Sequence, residues 1–387
     1  MRGARLAQSS VGGKRRFRQR ALRVHVFCGY GIAAIAHGLQ HDALCAKPFY
    51  MKHLVLVLAP LFAMIAAPAS ATTPDEIVDA APDSEWREIA PADLLVMTLA
   101  PDAAGKPREV VVQLLPEPFS AAWTRNVRAL AKANWWNGTS IYRSVDNWVV
   151  QWGEGPVEEG KTVPAAMGET SADGYSLDWR SGLVATLWDA HGRRAAEAAD
   201  KERDGSKFGD PYAAAVGYVN GMPVASDLET RIGPDGAKIS RPTRIWPVHC
   251  YASVGVARAL SPDAGSGTEL YAVIGHAPRQ LDRNIAVVGK VIDGIEHLSI
   301  LPRGTGPAGV YETEGERTPI VSVRLLSEMP VAARPRYRVL DTDGDSFARY
   351  AEVKANRDDA FYTVPAGGAD VCNVAAPVKR FADDASG

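Results

Sequence analysis

The sequence predicts a mainly β protein that folds as a closed barrel or a sandwich. Short runs rich in β-branched residues recur along the chain, beginning with LLVMTLA (Leu94–Ala100) and REVVVQLL (Arg108–Leu115). Segments that contain glycine and proline, such as DAAGKP, separate these runs and are typical of turns. Helical spacing of apolar residues is confined to a few stretches. Many short strands with few helices indicate one of these two all-β architectures.

The first two runs form a predicted hairpin, and a predicted helix follows over Pro118–Trp136. Within that stretch Trp123, Val127 and Leu130 recur at the spacing of one helix face. Asn137-Gly138 then marks a turn into IYRSVDNWVVQWGEG, residues 141–155, which reads as a half-buried pair of strands.

From residue 156 to about 245 the chain is rich in Gly, Asp and Pro, with a predicted helix near Ala185–Lys201 and a strand-like stretch, AAVGYVNGMPVA. Later strands are predicted at Cys250–Ala259, Thr268–Gly275 and Thr318–Glu328. The stretch Ile285–Leu301 is predicted to begin as a strand and continue as a helix. The tail, 329–387, has a predicted short helix at Asp345–Arg357 and a predicted strand near Ala360–Val364.

The first 71 residues have the composition of a leader. Residues 1–50 carry nine basic residues and one acid, Asp42. Residues 51–71 have a basic start at Lys52, an apolar run too short to span a bilayer and an Ala-Ser-Ala cleavage site. We therefore expect 51–71 to be a signal peptide, Met51 to be the true start and 1–50 to be a mis-assigned extension. A genuine basic leader is the alternative.

Cleavage after Ala71 would leave an acidic protein with two cysteines. Ten basic residues and one acid are lost with residues 1–71, which leaves 33 basic and 44 acidic residues and a formal charge of −11. This charge argues against nucleic acid or an anionic membrane as a partner. Cys250 and Cys372 could form one disulfide in an oxidising compartment or remain two buried thiols, since the sequence does not report their proximity.

Simple metal and nucleophile motifs are weak in this sequence. The acids of DTDGDSFARYAE match positions 1, 3, 5 and 12 of a calcium loop: Asp341, Asp343, Asp345 and Glu352. Ser346, however, stands where the sharp turn needs glycine, and a turn followed by a helix N-terminus is the simpler interpretation. His249 and Cys250 are adjacent and would point to opposite faces of a strand, so we do not expect them to act as base and nucleophile.

Several short stretches occur in an order that matches one family. They are Asn126-Val127, Trp136-Asn137-Gly138-Thr139, Ile141-Tyr142-Arg143-Ser144, Trp148-Val149-Val150-Gln151-Trp152-Gly153-Glu154, Val256-Ala257-Arg258, Gly267-Thr268-Glu269-Leu270-Tyr271, Leu281-Asp282 and Val287-Val288-Gly289-Lys290-Val291. The family pattern has Asn-Phe, a Tyr-Asp-Gly-like turn, Phe-His-Arg-Val, Phe-Met-x-Gln-Gly-Gly-Asp, Met-Ala-Asn, Gly-Ser-Gln-Phe-Phe, Leu-Asp and Val-Phe-Gly-Lys-Val in the same order. Over roughly Leu94–Glu328 the chain resembles a cyclophilin-type peptidyl-prolyl isomerase.

The resemblance implies a closed eight-stranded antiparallel barrel with two flanking helices. The barrel would occupy residues 92–328, with a long insertion at about 156–245. A flexible lead-in, 72–91, would precede it, and a C-terminal extension, 329–387, would follow it. No cofactor and no metal are implied, because rotation about a peptide bond needs neither.

The resemblance also implies a set of site residues. Arg143 would be the catalytic cation, and Gln151 would bond the substrate backbone and help to hold Arg143 in position. The walls of an apolar socket for the proline ring would be Trp148, Val149, Ala257, Tyr271 and Leu281.

Five positions depart from the family pattern. The usual Asn, Gln, Gly, His and Trp are replaced here by Arg258, Glu269, Trp152, Ile285 and Gln280. These changes affect the rim of the site, so they bear on efficiency and sequence preference more than on the fold.

Taken together, the sequence predicts an exported, periplasmic monomer that isomerises X–Pro bonds. Its substrates would be newly exported, proline-containing polypeptides, with no nucleic-acid partner and no membrane association after signal cleavage. Two alternatives stay open. One is a binding or chaperone module that kept the barrel with little or no isomerase activity. The other is a calcium-regulated protein with Asp341–Glu352 as its sensor.

Overall fold

The structure, a computed structural model, describes residues 72–155, 160–178 and 210–381. All of them belong to one unit, Ala66–Gly387. The predicted extension over 1–50, the predicted signal peptide over 51–71 and the predicted helix near Ala185–Lys201 lie outside the described residues.

Most of the described elements are strands, and a few helices lie between them along the chain. The strands are β1 (Trp86–Glu88), β2 (Leu94–Leu99), β3 (Arg108–Leu114), β4 (Ser140–Ser144), β5 (Val149–Gly153), β6 (Leu177–Asp178), β7 (Ala215–Val219), β8 (Met222–Ile232), β9 (Lys238–Pro247), β10 (Ser253–Val256), β11 (Leu270–Val273), β12 (Val287–Asp293), β13 (Thr318–Leu325), β14 (Arg336–Leu340) and β15 (Val378–Phe381). The helices are α1 (Pro74–Ala80), α2 (Ala121–Lys132), α3 (Glu296–Ser299) and α4 (Asp345–Ala355).

Eight of the strands close into a barrel. Their order around it is β10-β11-β5-β4-β13-β2-β3-β12, and each neighbouring pair is antiparallel. The predicted closed eight-stranded antiparallel barrel is therefore confirmed. Closure leaves no strand edge within the barrel without a partner strand.

Strand β2 shows why the barrel strands read as nearly continuous apolar runs. Leu95, Met97 and Leu99 point into the barrel core, whereas Leu94 and Val96 face a second apolar cluster on the outside. Both faces of the strand are thus covered, so the alternation that a half-exposed strand would show is lost.

Two helices flank the barrel core. Trp123, Val127 and Leu130 of α2 are buried in it, as their helical spacing predicts, and Leu298 of α3 joins them. Helix α2 begins three residues later than predicted, because Ser120 adopts a left-handed conformation with φ +47° just before it. Residues in that conformation interrupt a right-handed helix.

Between β5 and β10 the chain forms a second sheet, in the order β6-β9-β8-β7. The stretch AAVGYVNGMPVA becomes two strands joined at Asn220-Gly221, both with positive φ, which is the geometry of a tight hairpin turn. This sheet packs on the outside of the barrel through a cluster that joins Val224 to Leu115 and Val287.

A third sheet, β1-β14-β15, unites the two ends of the described chain. The prediction of a flexible lead-in over 72–91 is wrong, because α1 has a capping box formed by Thr73 and Glu76 and β1 pairs with β14. The Glu85 carboxylate also accepts a hydrogen bond from the Ser346 backbone N–H at 2.8 Å, which caps the first turn of α4.

The C-terminal prediction is correct for the helix and wrong for the strand. Helix α4 lies where the sequence predicts it. Residues 360–364, by contrast, form a turn, and the strands of this region are β14 and β15. Within the part of the chain that the structure describes, no helix is long and apolar enough to span a bilayer.

Candidate active site

Arg143 and Gln151 lie directly opposite each other on β4 and β5. The register shifts between Ile141 and Arg143, and an irregularity of this kind re-aims the side chains that follow it. Ile141 enters the barrel core, while Arg143 stays partly exposed. Arg143 Nη1 donates to Gln151 Oε1 at 3.0 Å. The structure therefore brings together the two residues that the resemblance assigns to catalysis.

Two further groups hold the Arg143 guanidinium. Its Nε donates to the Ala308 carbonyl at 2.7 Å, and its Cζ lies 5.4 Å from the centre of the Trp148 ring. Burial lowers the pKa of Arg143 below its ordinary value, yet an arginine stays charged at any physiological pH. The side chain is a fixed cation at the surface of the barrel.

The orientation of the Gln151 amide is set from its other side. Gln151 Nε2 donates to the Tyr142 hydroxyl, which donates in turn to Glu269 Oε2 at 2.8 Å. Since the Gln151 nitrogen is engaged with Tyr142, its oxygen is left to face Arg143. Burial raises the pKa of Tyr142, with a further contribution from the Glu269 charge, so this hydroxyl remains a proton donor.

Glu269 is anchored by backbone as well as by Tyr142. Its Oε1 accepts from the N–H groups of Glu154 at 2.8 Å and Gly155 at 3.1 Å. Gly153, at φ +148°, makes room for the carboxylate, because a Cβ there would lie 2.3 Å from Glu269 Oε1. The sequence pattern identified Glu269 only as a departure at the rim and gave Tyr142 no role in the site.

Beside the polar pair lies an apolar cluster that contains all five predicted socket residues. It consists of Val149, Tyr271 and Val273, which are buried, with Trp148, Ala257, Leu281 and Ile285 packed against them. Val273 was not predicted, although the two-residue alternation along β11 places it on the same face as Tyr271. Ile285 stands where the resemblance expects a histidine and adds apolar surface.

A groove of about 310 Å³ adjoins the cluster and the polar pair. Gln151, Ala257 and Glu269 line it, together with two further charged residues, Arg258 and Asp263. Arg258 Nε donates to the Asn284 carbonyl at 3.0 Å. The departures Arg258 and Glu269 thus lie on a concave surface that Gln151 also lines.

His249 and Cys250 have separate partners, as expected. His249 bonds Asp282 and Tyr271 through its two ring nitrogens. Cys250 forms a disulfide with Cys372. Of the two alternatives that the sequence left open, one disulfide or two buried thiols, the structure therefore shows the disulfide.

The acids of the calcium-like stretch serve the turn before α4. Asp341 Oδ1 accepts from the Asp343 N–H at 2.9 Å and lies 3.1 Å from Arg87 Nη2. Within the described ranges, no group of three or more His, Cys, Asp or Glu side chains is arranged to hold a metal ion.

The closed barrel, with its polar pair and apolar cluster on the outer face, has the architecture of a cyclophilin. A solved structure of the same fold is that of cyclophilin AquaCyp293 from Hirschia baltica, with 18% identity, a TM-score of 0.50, 80% of this chain covered and 98% of that one. A second is the Cryptosporidium parvum cyclophilin-type isomerase cgd2_1660 solved in the presence of the dipeptide Ala-Pro, with 12% identity, a TM-score of 0.28, and coverage of 59% and 98%. A search of curated protein sequences finds no match.

The sequence pattern described as cyclophilin type peptidyl-prolyl cis-trans isomerase/CLD matches residues 106–326, more than half of the chain. The chain therefore belongs to the cyclophilin-type peptidyl-prolyl cis-trans isomerase family. It is an enzyme of that class, a peptidyl-prolyl isomerase.

Proposed function

We propose that Arg143 and Gln151 catalyse rotation about X–Pro bonds of polypeptides whose proline ring enters the cluster of Trp148, Val149 and Tyr271. The observation that carries this assignment is the 3.0 Å hydrogen bond between Arg143 Nη1 and Gln151 Oε1 at the edge of that cluster. A fixed cation next to an apolar recess is what the reaction requires.

The physical reason lies in the peptide bond itself. Rotation has a barrier of about 18–20 kcal/mol because the nitrogen lone pair is delocalised into the carbonyl. As the bond twists, the lone pair returns to the nitrogen, which becomes a better hydrogen-bond acceptor. A guanidinium that donates to it binds the twisted state more strongly than either planar state, and such differential binding is catalysis.

Pre-organisation explains the surrounding contacts. Ala308 and Gln151 hold the Arg143 guanidinium before substrate arrives, so little of its side-chain freedom remains to be lost at the transition state. The apolar cluster supplies binding for the ring without competing for the cation.

The test is a coupled protease assay of X–Pro exchange in a short peptide, with residues 72–387 and three variants. Arg143→Ala should lower kcat/KM by about 10²-fold or more. Arg143→Lys should also be impaired, because lysine keeps the charge but loses the rigid donor fork. Arg125→Ala is the matched control, since Arg125 lies on the exposed face of α2 and pairs with Glu117, which precedes the helix.

Retention of full activity in Arg143→Ala would reject the assignment of Arg143. A folded wild type that binds the peptide without accelerating exchange would instead support the binding-module alternative.

We further propose that the enzyme acts on newly exported chains in the periplasm. The signal-like composition of residues 51–71 supports export, and so does the disulfide between Cys250 and Cys372, because such bonds persist in oxidising compartments. Proline isomerisation limits the folding of many such chains.

Cell fractionation with N-terminal sequencing tests the proposed export. The expected result is a periplasmic protein that begins at Thr72. A cytoplasmic protein that retains residues 51–71 would contradict it.

A further inference from the structure

Behind the apolar cluster, a line of buried polar side chains leads away from Tyr271. The Tyr271 hydroxyl lies 2.8 Å from His249 Nε2, and His249 Nδ1 lies 3.0 Å from Asp282 Oδ1. His249 is fully buried. Because an ionised carboxylate can only accept, Nδ1 is the nitrogen that donates to Asp282, and in the tautomer with its single proton there, Nε2 accepts from the Tyr271 hydroxyl.

The line continues to residues outside the barrel. Asp282 Oδ2 accepts from Arg279 Nε at 2.7 Å, and Arg279 Nη1 donates to Asp210 Oδ2 at 2.5 Å. The side chains of Arg279 and Asp210 are each 2% exposed. We call these five residues the buried polar network: Tyr271, His249, Asp282, Arg279 and Asp210.

The C-terminal segment closes over the same network. The Cys250–Cys372 disulfide fixes Cys372, whose Sγ lies 3.7 Å from the His249 carbonyl oxygen. Asp370 Oδ2 lies 4.0 Å from Arg279 Nη1. Two segments remote from the barrel strands, at 210 and at 370–372, therefore contact the residues that hold Tyr271.

The Tyr271 ring packs closely against the backbone of β10. It lies across Gly255, where a Cβ would be 2.3 Å from both the ring Cζ and the hydroxyl oxygen. Burial raises the pKa of Tyr271, and the charge of Asp282 adds to this, so the hydroxyl keeps its proton.

Buried charges of this kind are costly and often contribute little net stability. Burial alone would lower the pKa of Arg279, but Asp210 and Asp282 raise it above its ordinary value. A fully bonded network fixes geometry even where it adds little stability.

The geometry points to a positioning role for the rest of the buried polar network: His249, Asp282, Arg279 and Asp210 hold the Tyr271 ring in place. Through these residues the disulfide-bound C-terminal segment sets the affinity of the site for the proline ring. The inference rests on the proposed site. A Tyr271 ring that is already held in place lowers the entropic cost of binding the proline ring. Release of the C-terminal segment should therefore raise KM and leave kcat nearly unchanged.

A double-mutant cycle separates this role from simple stabilisation. Cys372→Ser and Asp210→Asn, made separately, should each raise KM for an X–Pro peptide about threefold, with kcat within twofold of wild type. In the Tyr271→Phe background neither change should alter KM further, because the hydroxyl that links the network to the ring is gone. Arg336→Gln is the control: it breaks the pair with Glu88 in the third sheet.

Equal effects on KM in both backgrounds, or no effect in either, would overturn the inference. A second readout does not depend on activity: NMR of ¹³C-labelled tyrosine rings, with the Tyr271 signal assigned by its loss in Tyr271→Phe. The Tyr271 signal should shift or split in Cys372→Ser and Asp210→Asn and stay in place in Arg336→Gln. An unmoved signal would overturn the inference even if the wild type proved inactive, whereas an inactive wild type alone would count against the proposed function.

Discussion

The Glu269 carboxylate accepts three hydrogen bonds, two from backbone N–H groups and one from the Tyr142 hydroxyl. Hydrogen bonds to a charged acceptor are the stronger ones in proteins. Glu269 therefore acts on Gln151 through Tyr142, whose hydroxyl donates to Glu269 and accepts from Gln151. At the scale of single residues, the glutamate at position 269, where the family pattern has glutamine, orients Gln151 through Tyr142.

Replacing Tyr142 by phenylalanine should lower the rate without weakening binding. The change removes the acceptor for Gln151 Nε2, so the amide can rotate and present its nitrogen to Arg143. We expect kcat to fall about 3–10-fold with KM nearly unchanged, a difference of about 1 kcal/mol in transition-state stabilisation. The coupled assay measures both constants.

Tyr350→Phe serves as the matched control. It also deletes one hydroxyl, which donates to the Ala375 carbonyl in the third-sheet region. An equal loss of kcat in both variants would show that the effect at Tyr142 is not specific to the site.

Site residues that lie within one recognisable stretch could be predicted from the sequence. Arg143, Trp148 and Gln151 belong to a single strand pair, and the structure brings them together. Tyr142 and His249 were missed as site residues because their partners, Glu269 and Asp282, lie far away along the chain. No local pattern reports a hydrogen bond of that kind.

Strand β12, in the wall of the barrel, carries a lysine, Lys290, whose surroundings disfavour a charge. Lys290 lies between Gln113 on β3 and Ser253 on β10. Burial lowers its pKa from an ordinary 10.5 to about 8. The charged form of Lys290 is therefore less favourable in the folded protein than in water.

The sign of the resulting pH dependence follows from proton binding. Between about pH 8 and 10.5 the unfolded chain binds the Lys290 proton and the folded chain does not, so the free energy of unfolding rises with pH in that window. Lys290→Met should stabilise the protein at pH 7 by up to about 3 kcal/mol. Urea unfolding at pH 7, 8, 9 and 10 should show this advantage shrinking as pH rises.

Lys106→Met is the control for Lys290→Met, since Lys106 is exposed in a loop. A difference between wild type and Lys290→Met that stays constant from pH 7 to 10 would contradict the proposed burial cost.

At the scale of elements, the barrel strands were predictable and the short outer strands were not. β2 and β13 are long, apolar and bounded by turn residues, and their predicted bounds agree with the structure to within a few residues. β1 has only three residues and becomes a strand through its pairing with β14. Tertiary pairing of this kind overrides local preference.

The whole molecule is tied together by the third sheet. Ile77, Trp86 and Ile89 from the N-terminal segment share one cluster with Tyr337 and Phe347 of the C-terminal segment. Outer-face residues of β2 and β3 belong to the same cluster. The two ends therefore act as a single accessory layer on the barrel.

Removal of residues 72–91 should destabilise the whole molecule. Among the buried side chains that are lost, Ile77, Trp86 and Ile89 are large and apolar, each worth about 1.5–3 kcal/mol, so the free energy of unfolding should fall by about 5 kcal/mol or more. Urea unfolding of chains that begin at Thr72 and at Ala92 measures the difference. Identical midpoints would show that the segment is dispensable, as the flexible lead-in prediction implied.

The pairing of β2 with β13 also dictates when this protein can fold. Leu99 pairs with Ile320, and Trp86 pairs with Leu340, so the earliest strands wait for partners near the end of the chain. Loops this long slow the formation of native contacts. The barrel cannot close until the chain has been synthesised up to residue 325, where β13 ends. Because so many of its native contacts join distant parts of the sequence, we expect this barrel to fold slowly.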